Sequence, residues 1–233
     1  MFAESELAAR RLVEGGLTPV ACAVTSPSRA ERVATWWPPA APLLLVSRPI
    51  LAEVLGYDLH RGCVAAARRP DLRAVPWERV AARAPTVVAG EGLADPANVG
   101  ALVRSCAALG ADLLLLDRRG ADPLTPRAVR AAMGTGFGLA LAVPPDLTDA
   151  VREVQRRLGA RTVAAVVGGA ATPLRDYRRP PGALLLLLGN EGAGLSPELI
   201  ALADDAVTIP MAADVDSLNV AAASAVFLHA LRP

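Results

Sequence analysis

The feature that most constrains the fold is a run of five leucines, Leu184 to Leu188, that ends in a glycine-rich turn. A strand that is apolar at every position is buried on both faces, which is typical of a parallel sheet covered by helices. The turn from Gly189 to Gly194 contains three glycines, which allow the backbone to lie close to a ligand. Ser196 and Pro197 then supply an N-cap and a first-turn proline, so the pattern predicts a strand, a loop and a helix.

The last 25 residues predict a second arrangement of the same kind. A strand is expected to end at Ile209 and Pro210, and an Ala-rich apolar run continues to Leu231. Ser217 lies where the N-cap of the last helix is expected. Backbone N–H groups at such a helix start are unpaired and carry a partial positive charge, so they suit a polar or anionic ligand group.

A third segment, from Asp95 to Gly110, predicts a turn that enters a helix, with Asn98 at the helix start and Arg104 almost two turns further on. From residue 85 onward strands and helices alternate regularly. The expected strands cover 86–89, 111–116, 139–143, 162–167, 183–188 and 206–209, and the expected helices begin at 98, 126, 147, 197 and 217. This alternation predicts an α/β fold whose parallel sheet is covered by helices on both faces.

A shorter alternation upstream predicts a small α/β unit. Helices are expected over 4–14, 29–36 and 50–55, and strands over 20–25, 43–46 and 61–67. The following segment is expected to be a linker with one short helix near Trp77. The predicted organisation is therefore an N-terminal unit over 1–70, a linker over 71–84 and a larger domain over 85–233.

Composition narrows the class of protein. Apolar residues make up 53% of the 233 residues and aromatic residues only 3%, so the core is expected to consist of Ala, Leu and Val. No apolar stretch reaches the roughly 20 residues that cross a membrane, so no membrane segment is expected. The N-terminus lacks a signal-peptide pattern, and the three scattered cysteines indicate reduced thiols in a cytoplasmic protein. With only two histidines and no cysteine pairs, no metal site is expected.

The charge pattern is compatible with RNA but does not require it. The net charge is +1, and all 24 basic residues are arginines. Residues 1–84 hold 11 arginines and 8 acids, whereas residues 85–233 hold 13 arginines and 15 acids. Arginine contacts phosphate in a bidentate way and stacks on bases. Composition alone nevertheless favours a solvated, arginine-rich surface, so any prediction of RNA binding depends on the motifs.

Together the three segments resemble the SpoU (TrmH-like) branch of the SPOUT RNA methyltransferases. The motifs are Asn-x-Gly-x-x-x-Arg at 98–104, Gly-x-Glu-Gly-x-Gly at 189–194, and Ile-Pro-Met followed by Ser-Leu-Asn-Val within 209–220. They occur in the family's order and with about its spacing, over residues 85 to 233. Two positions depart from the pattern: Ala213 replaces the usual Gly, and Ala221 replaces a small polar residue.

The resemblance implies a C-terminal SPOUT domain with a trefoil knot, S-adenosylmethionine as cofactor, and transfer of its methyl group to a ribose 2′-hydroxyl of tRNA or rRNA. It also implies a homodimer that completes the active site, and we expect the last helix, with Ala223, Ala225, Val226 and Leu228, in the interface. The stretch from Gly56 to Gly62 resembles part of the family's N-terminal RNA substrate-binding domain, which is similar to a ribosomal-protein fold. Its His60 is expected to be structural.

The resemblance also assigns site residues. The cofactor is expected to contact Leu187, Gly189, Asn190, Gly194, Ile209, Met211, Leu218 and Asn219. The catalytic group is expected to comprise Asn98, Arg104, Glu191, Ser217 and Asn219. The family's arginine is assigned to activating the 2′-hydroxyl, but a guanidinium does not readily lose a proton, so Arg104 is better suited to bind phosphate and stabilise a developing alkoxide. Glu191 is expected either to pair with Arg104 or another arginine of the site, or to position the loops of the knot.

Plain structural interpretations accompany these assignments. Helix capping accounts for Asn98, Ser217 and Asn219, and core packing accounts for Ile209 and Leu218. A surface arginine near a helix C-terminus, favoured by the helix dipole, accounts for Arg104, and a solvated turn residue accounts for Glu191. Arg127 and Arg130 suit phosphate binding and a solvated helix surface almost equally. At the level of the whole protein, the alternatives are a non-catalytic RNA-binding or ribosome-assembly protein and a dinucleotide-dependent oxidoreductase. The second is disfavoured because no Gly-x-Gly-x-x-Gly motif follows a first strand.

Overall fold

The chain folds around two β-sheets. The computed structural model describes residues 1–59, 61–80, 83–212 and 217–232. His60 and Ala213, both singled out above, lie outside the described residues. The strands are β1 (Phe2–Glu4), β2 (Pro19–Val24), β3 (Leu43–Leu45), β4 (Cys63–Ala67), β5 (Thr86–Gly90), β6 (Leu113–Leu116), β7 (Ala140–Ala142), β8 (Arg161–Ala165), β9 (Thr172–Pro173), β10 (Leu184–Leu188) and β11 (Asp205–Thr208).

The helices alternate with these strands. They are α1 (Glu6–Glu14), α2 (Pro27–Ala34), α3 (Arg48–Leu55), α4 (Pro96–Leu109), α5 (Pro126–Ala132), α6 (Leu147–Leu158), α7 (Pro197–Ile200) and α8 (Val220–Ala230). Short 3₁₀ helices cover Trp77–Arg79 and Thr135–Phe137. Local signals set several boundaries: the side chain of Asp146 caps α6 by accepting from the N–H of Asp149, and Gly159 ends α6 in the left-handed conformation.

The larger sheet has seven strands in the order β7-β6-β5-β10-β8-β11-β9, and every adjacent pair is parallel. Successive leucines of β10 point to opposite faces. Leu184, Leu186 and Leu188 lie in one core cluster, and Leu185 and Leu187 in the other. The predicted parallel sheet with two buried faces is confirmed.

Helices cover both faces of this sheet. Helices α4 and α8 pack against each other on one face, where Leu102 and Cys106 share a core with Phe227 and Leu228. Helices α6 and α7 cover the other face. The apolar stripe of each helix is thus buried against strands that have no polar face, as expected of a parallel α/β layer structure.

The smaller sheet has the order β1-β4-β2-β3 and is mixed, because β2 and β3 are parallel and the other pairs antiparallel. Its core includes Leu124, Val129 and Phe137, which come from the later part of the chain. Arg130 donates to the buried carboxylate of Glu4 at 2.8 Å. Arg130, considered above for phosphate binding, is therefore engaged in joining the two parts of the molecule.

Several predicted boundaries were wrong. Residues Phe2–Glu4 form strand β1, although a helix was predicted from Glu4. Strand β9 was not predicted. Helix α4 begins at Pro96 after the cap residue Asp95, two residues before the predicted start. Helix α7, by contrast, begins at Pro197 as predicted and is a single turn.

The segment between the two sheets packs closely where the structure describes it. Leu72 and Trp77 contact the cores of the larger sheet, and the carbonyl of Leu72 accepts from the N–H of Val143 at 2.6 Å. The Arg157 guanidinium lies over the Trp77 ring, 4.7 Å from its centroid. Residues of the linker thus pack against the cores of the larger sheet. The division into domains stays a prediction.

Two further findings concern the cysteines and the length of the helices. Cys22, Cys63 and Cys106 are free and buried. Across the described part of the chain, no helix is long and apolar enough to cross a membrane.

Candidate functional site

A cavity of about 490 Å³ lies outside the carboxyl ends of β8, β10 and β11. This is the edge at which open parallel sheets bind ligands, and the volume falls within the usual range for small-molecule sites. The cavity is lined by four segments and helix α8: Ala165–Val167, Leu188–Leu195 with Ile200, Ile209 with Met211, Ser217 with Leu218, and Val220, Ala223 and Phe227.

The glycine-rich loop forms one wall and is closed on itself. The backbones of Asn190 and Gly194 exchange two hydrogen bonds of 3.1 and 2.9 Å. A Cβ placed on Gly189 would lie 2.3 Å from the carbonyl carbon of Gly194, so only glycine allows this closure. The Asn190 side chain accepts from the N–H groups of Gly192 and Ala193 and donates to the carbonyl of Gly92 at 2.8 Å. Asn190 therefore fixes the shape of the loop.

A chain of hydrogen bonds beside the cavity joins the three motif segments. Asn219 Oδ1 accepts from the N–H of Ala221 at the start of α8, and Asn219 Nδ2 donates to Asn98 Oδ1 at 2.9 Å. Asn98 Nδ2 donates in turn to Glu191 Oε1 at 2.5 Å. These bonds link α8 through α4 to the glycine-rich loop, although the three residues lie far apart in the sequence.

These hydrogen bonds correct three predictions. Asn219 is the N-cap of α8, whereas Ser217 lies before the helix and lines the cavity. Asn98 lies inside the first turn of α4 and does not cap it, because Asp95 accepts from the N–H of Ala97. Within the described residues, Glu191 pairs with Asn98 and not with an arginine, so the predicted pairing with arginine is wrong. Asn98 is thereby free to turn its amide toward the other two motifs.

Most of the predicted cofactor residues line the cavity. These are Gly189, Asn190, Gly194, Ile209, Met211 and Leu218, and the predicted catalytic residues Glu191 and Ser217 line it as well. Leu187 does not, because its side chain is buried in the opposite core, and Leu188 takes the place at the cavity. Asn219 lies beside the cavity through its bonds to Asn98 and Ala221.

Arg104 stands apart from this group. It is exposed on α4, it is absent from the cavity lining, and within the described residues its guanidinium makes no hydrogen bond or ion pair. The structure of one chain thus unites Asn98, Glu191, Ser217 and Asn219 around the cavity but leaves Arg104 on the surface.

Sequence reasoning missed Glu91, a buried carboxylate directly after β5 that accepts from the N–H of Ser196. Its place after an apolar strand, at the ligand-binding edge of the sheet, was the available signal. It also missed Ala165–Val167, at the carboxyl end of β8 on the same edge, and Phe227 of α8. These residues carry no motif and become recognisable only once the order of the strands is known.

The fold and the cavity define a cofactor-binding α/β protein whose ligand site lies at the carboxyl edge of a parallel sheet. The chain belongs to the SpoU rRNA methylase family, whose model matches residues 85–229. An uncharacterized tRNA/rRNA methyltransferase of Mycobacterium tuberculosis is 34% identical over 231 residues, which cover 98% of this chain and 79% of that protein.

A sequence relative and a solved structure, both from Streptomyces viridochromogenes, extend the comparison. A 23S rRNA (uridine(2479)-2′-O)-methyltransferase is 38% identical over 144 residues, covering 59% of this chain and 49% of that protein. The crystal structure of the SpoU methyltransferase AviRb in complex with AdoMet superposes with a TM-score of 0.84 at 26% identity, covering 99% of this chain and 88% of that chain. The similarity therefore includes the smaller sheet as well as the domain matched by the family model.

Proposed function

We propose that the protein is an S-adenosylmethionine-dependent RNA methyltransferase that acts on a ribose 2′-hydroxyl of tRNA or rRNA. The proposal rests on one observation: three motif segments meet at one cavity, and hydrogen bonds among Asn98, Glu191 and Asn219 hold these segments together. Family membership supports methyl transfer to RNA. The AdoMet-bound Streptomyces structure supports the cofactor, and the name of the Streptomyces sequence relative supports the 2′-hydroxyl as acceptor.

The residues of the cavity fit this cofactor. Ile209, Met211 and Leu218 supply apolar wall for an adenine ring, and Gly189 and Gly194 let the backbone approach closely. Asn190 serves by closing the loop that forms the wall. When bound, S-adenosylmethionine supplies a methyl group that is already activated by its sulfonium, so the protein must mainly orient the reactants and assist loss of the acceptor's proton.

Arg104 is proposed to act on the RNA. Its guanidinium is exposed and is not engaged within the described residues, so it is available to a phosphate oxygen. There it would stabilise the negative charge that develops on the 2′-oxygen, while a phosphate or water takes the proton. Asn98, Glu191, Ser217 and Asn219 would shape the acceptor side of the cavity.

We further propose a homodimer with α8 in the interface. Val226 is 43% exposed on α8, whereas Leu228, which was expected in the same interface, is buried in the core of its own chain. Ala223 lines the cavity on the same helix. A second copy docked on α8 would bring further side chains next to the cavity. Such a contribution is needed because, among the described residues of one chain, no arginine lines the cavity.

The remaining proposals concern topology and organisation. Insertion of β10 between β5 and β8, with α8 then packing on α4, supports a trefoil knot at the C-terminus. The end of α8 is held by Arg179, which donates to the carbonyl of Leu231 at 2.8 Å. We propose that residues 1–70 bind the RNA substrate as a ribosomal-protein-like domain, that 71–84 connect it to the domain over 85–233, and that the protein works in the cytoplasm.

Isothermal titration calorimetry tests the cofactor proposal. The folded protein is titrated separately with S-adenosylmethionine, S-adenosylhomocysteine and NAD. We expect the first two to bind and NAD not to bind. Binding of NAD alone would support an oxidoreductase, and the absence of any binding would support a non-catalytic RNA-binding protein.

A further inference from the structure

Glu91 is a buried carboxylate that neither the motifs nor the proposed mechanism uses. It follows β5 directly and is only 6% exposed. One oxygen, Oε2, accepts from the N–H of Ser196 at 2.7 Å, and the other, Oε1, accepts from Arg119 Nη2 at 2.8 Å. Arg119 also donates to Asp117 Oδ2 at 2.7 Å. Burial of a charge is tolerated only with such pairing, so both oxygens are committed.

Ser196, whose N–H donates to Glu91, lies at the end of the loop that forms the cavity wall. Ser196 follows Leu195, the last loop residue that lines the cavity, and it caps α7. The other end of the same loop is tied to the same turn, because Asn190 Nδ2 donates to the carbonyl of Gly92. The N–H of Glu91 itself donates to the carbonyl of Leu188 at 2.9 Å. The glycine-rich loop is thus held at both ends by residues 91 and 92.

We propose that Glu91 is a positioning residue for the cofactor, which acts by fixing the glycine-rich loop through the N–H of Ser196. This inference rests on the proposed function, because the loop is taken to be the wall of the S-adenosylmethionine site. Arg119, which also binds Asp117, donates to the other oxygen of Glu91 and so helps to orient the carboxylate. Sequence reasoning had no access to this role, since Ser196 lies 105 residues further along the chain.

Replacement of the carboxylate by an amide breaks the arrangement with little change in volume. An amide offers one acceptor oxygen, but both partners of Glu91 are donors. In Glu91→Gln the new NH₂ group therefore faces either the N–H of Ser196 or the guanidinium of Arg119. A buried donor left without an acceptor is costly, so the loop is expected to shift away from the position that binds the cofactor.

The chain contains a matched control at Glu4. This residue is also a buried carboxylate, 7% exposed, and it accepts from Arg130 at 2.8 Å, but it lies in β1 and is absent from the cavity lining. Glu4→Gln therefore reproduces the loss of a buried, arginine-paired charge without touching the loop. Thermal unfolding compares the stability of the two variants.

The test is the affinity of the whole protein for S-adenosylhomocysteine by calorimetry, with the KM values for S-adenosylmethionine and for RNA as a second readout. We expect Glu91→Gln to raise Kd and the cofactor KM by about tenfold, equivalent to about 1.4 kcal/mol, and to leave the RNA KM within about twofold. Glu4→Gln should bind S-adenosylhomocysteine like the wild type, even where its melting temperature falls equally.

Two results would overturn the inference. These are wild-type affinity in Glu91→Gln and an equal loss of affinity in Glu4→Gln. If the wild type itself binds no S-adenosylhomocysteine, the proposed function fails, and the inference fails with it.

Discussion

At the residue scale, the three side chains that join the motifs do structural work and also shape the cavity. Asn219 caps α8, and Glu191 belongs to the cavity wall, while Asn98 connects them. The capping interpretation and the functional interpretation are therefore compatible for Asn219. For Asn98 the structure favours the role of a connector, because Asp95 already caps α4.

Asn98→Ala should reduce methyl transfer by roughly a hundredfold, because it removes both bonds that fix the loop and the start of α8 relative to each other. The loss of stability should be small, about 1 kcal/mol or less, since these bonds are exposed. Initial rates and thermal unfolding measure the two effects. Asn98→Asp should also be impaired, since it places a second carboxylate beside Glu191. Full turnover in both variants would contradict the connector role.

The two tyrosines give a prediction about pH. Burial and a hydrogen bond to Glu4 raise the pKa of Tyr57 to about 12, and burial and a hydrogen bond to Asp205 raise the pKa of Tyr177 as well. Because these pKa values are higher in the folded protein than in the unfolded chain, their contribution to stability is complete below pH 10. It is lost as the pH rises through about 12.

Absorbance at 295 nm follows this titration without interference from a third tyrosine, since the chain has only two. We expect the folded protein to show almost no tyrosinate at pH 10, where a free tyrosine is half ionised. Half ionisation of either residue at pH 10, with the fold intact by circular dichroism, would show that these hydrogen bonds do not persist in solution.

At the scale of elements, the glycine-rich loop combines close packing with ligand binding. Gly189→Ala places a Cβ 2.3 Å from the backbone at Gly194, so the loop must open. We expect a loss of stability of about 1–3 kcal/mol and a large loss of cofactor affinity. Gly138→Ala is the control, since its Cβ would have only ordinary contact at 3.9 Å and its φ is −90°. Unchanged cofactor binding in Gly189→Ala would contradict the proposed wall.

Much of the layer structure could be predicted from local signals. Helix α6 has the predicted bounds of 147–158, because Asp146 and Gly159 mark both of its ends. The start of α8 could not be predicted as firmly, since Ser217 and Asn219 are both good cap residues. Strand β9 has only two residues and depends on pairing with β11. Periodicity cannot detect so short an element.

Most residues of the site could be predicted from the sequence, but the contacts between them could not. Leu187 and Leu188 cannot be told apart within a uniform run of leucines, because which one faces the cavity depends on the register against β5 and β8. The partner of Glu191 lies 93 residues away, and that of Asn219 lies 121 residues away. Such pairings are fixed by tertiary structure, which the motifs imply but do not specify.

At the scale of the whole molecule, the core of the smaller sheet includes Leu124, Val129 and Phe137 from the later part of the chain. Within a single chain, Arg104 lies outside the group of residues around the cavity. A second copy on α8 is the proposed completion of the site. Sedimentation velocity of the wild type at micromolar concentration should give a dimer. Val226→Arg should give a monomer, because a charge in an apolar interface is left without a partner.

Val54→Arg is the matched control for this prediction. It makes the same substitution at a valine that is 77% exposed on α3, away from α8, and it should sediment as a dimer. A wild-type monomer at micromolar concentration would contradict the dimer proposal. Dissociation in Val54→Arg together with a dimeric Val226→Arg would instead point to an interface on the smaller sheet.

The proposal that one cavity serves methyl transfer to a ribose hydroxyl is tested most directly by the product. The enzyme is incubated with tritiated-methyl S-adenosylmethionine and RNA from a strain of its source that lacks the gene, and the labelled nucleosides are then resolved. We predict a 2′-O-methylated nucleoside with the wild type and with Arg152→Ala, an exposed arginine of α6. We predict no product with Arg104→Ala, little with Arg104→Lys, and cofactor affinity within a few-fold in both. A base-methylated product would contradict the proposed acceptor, and wild-type turnover in Arg104→Ala would contradict the role proposed for Arg104.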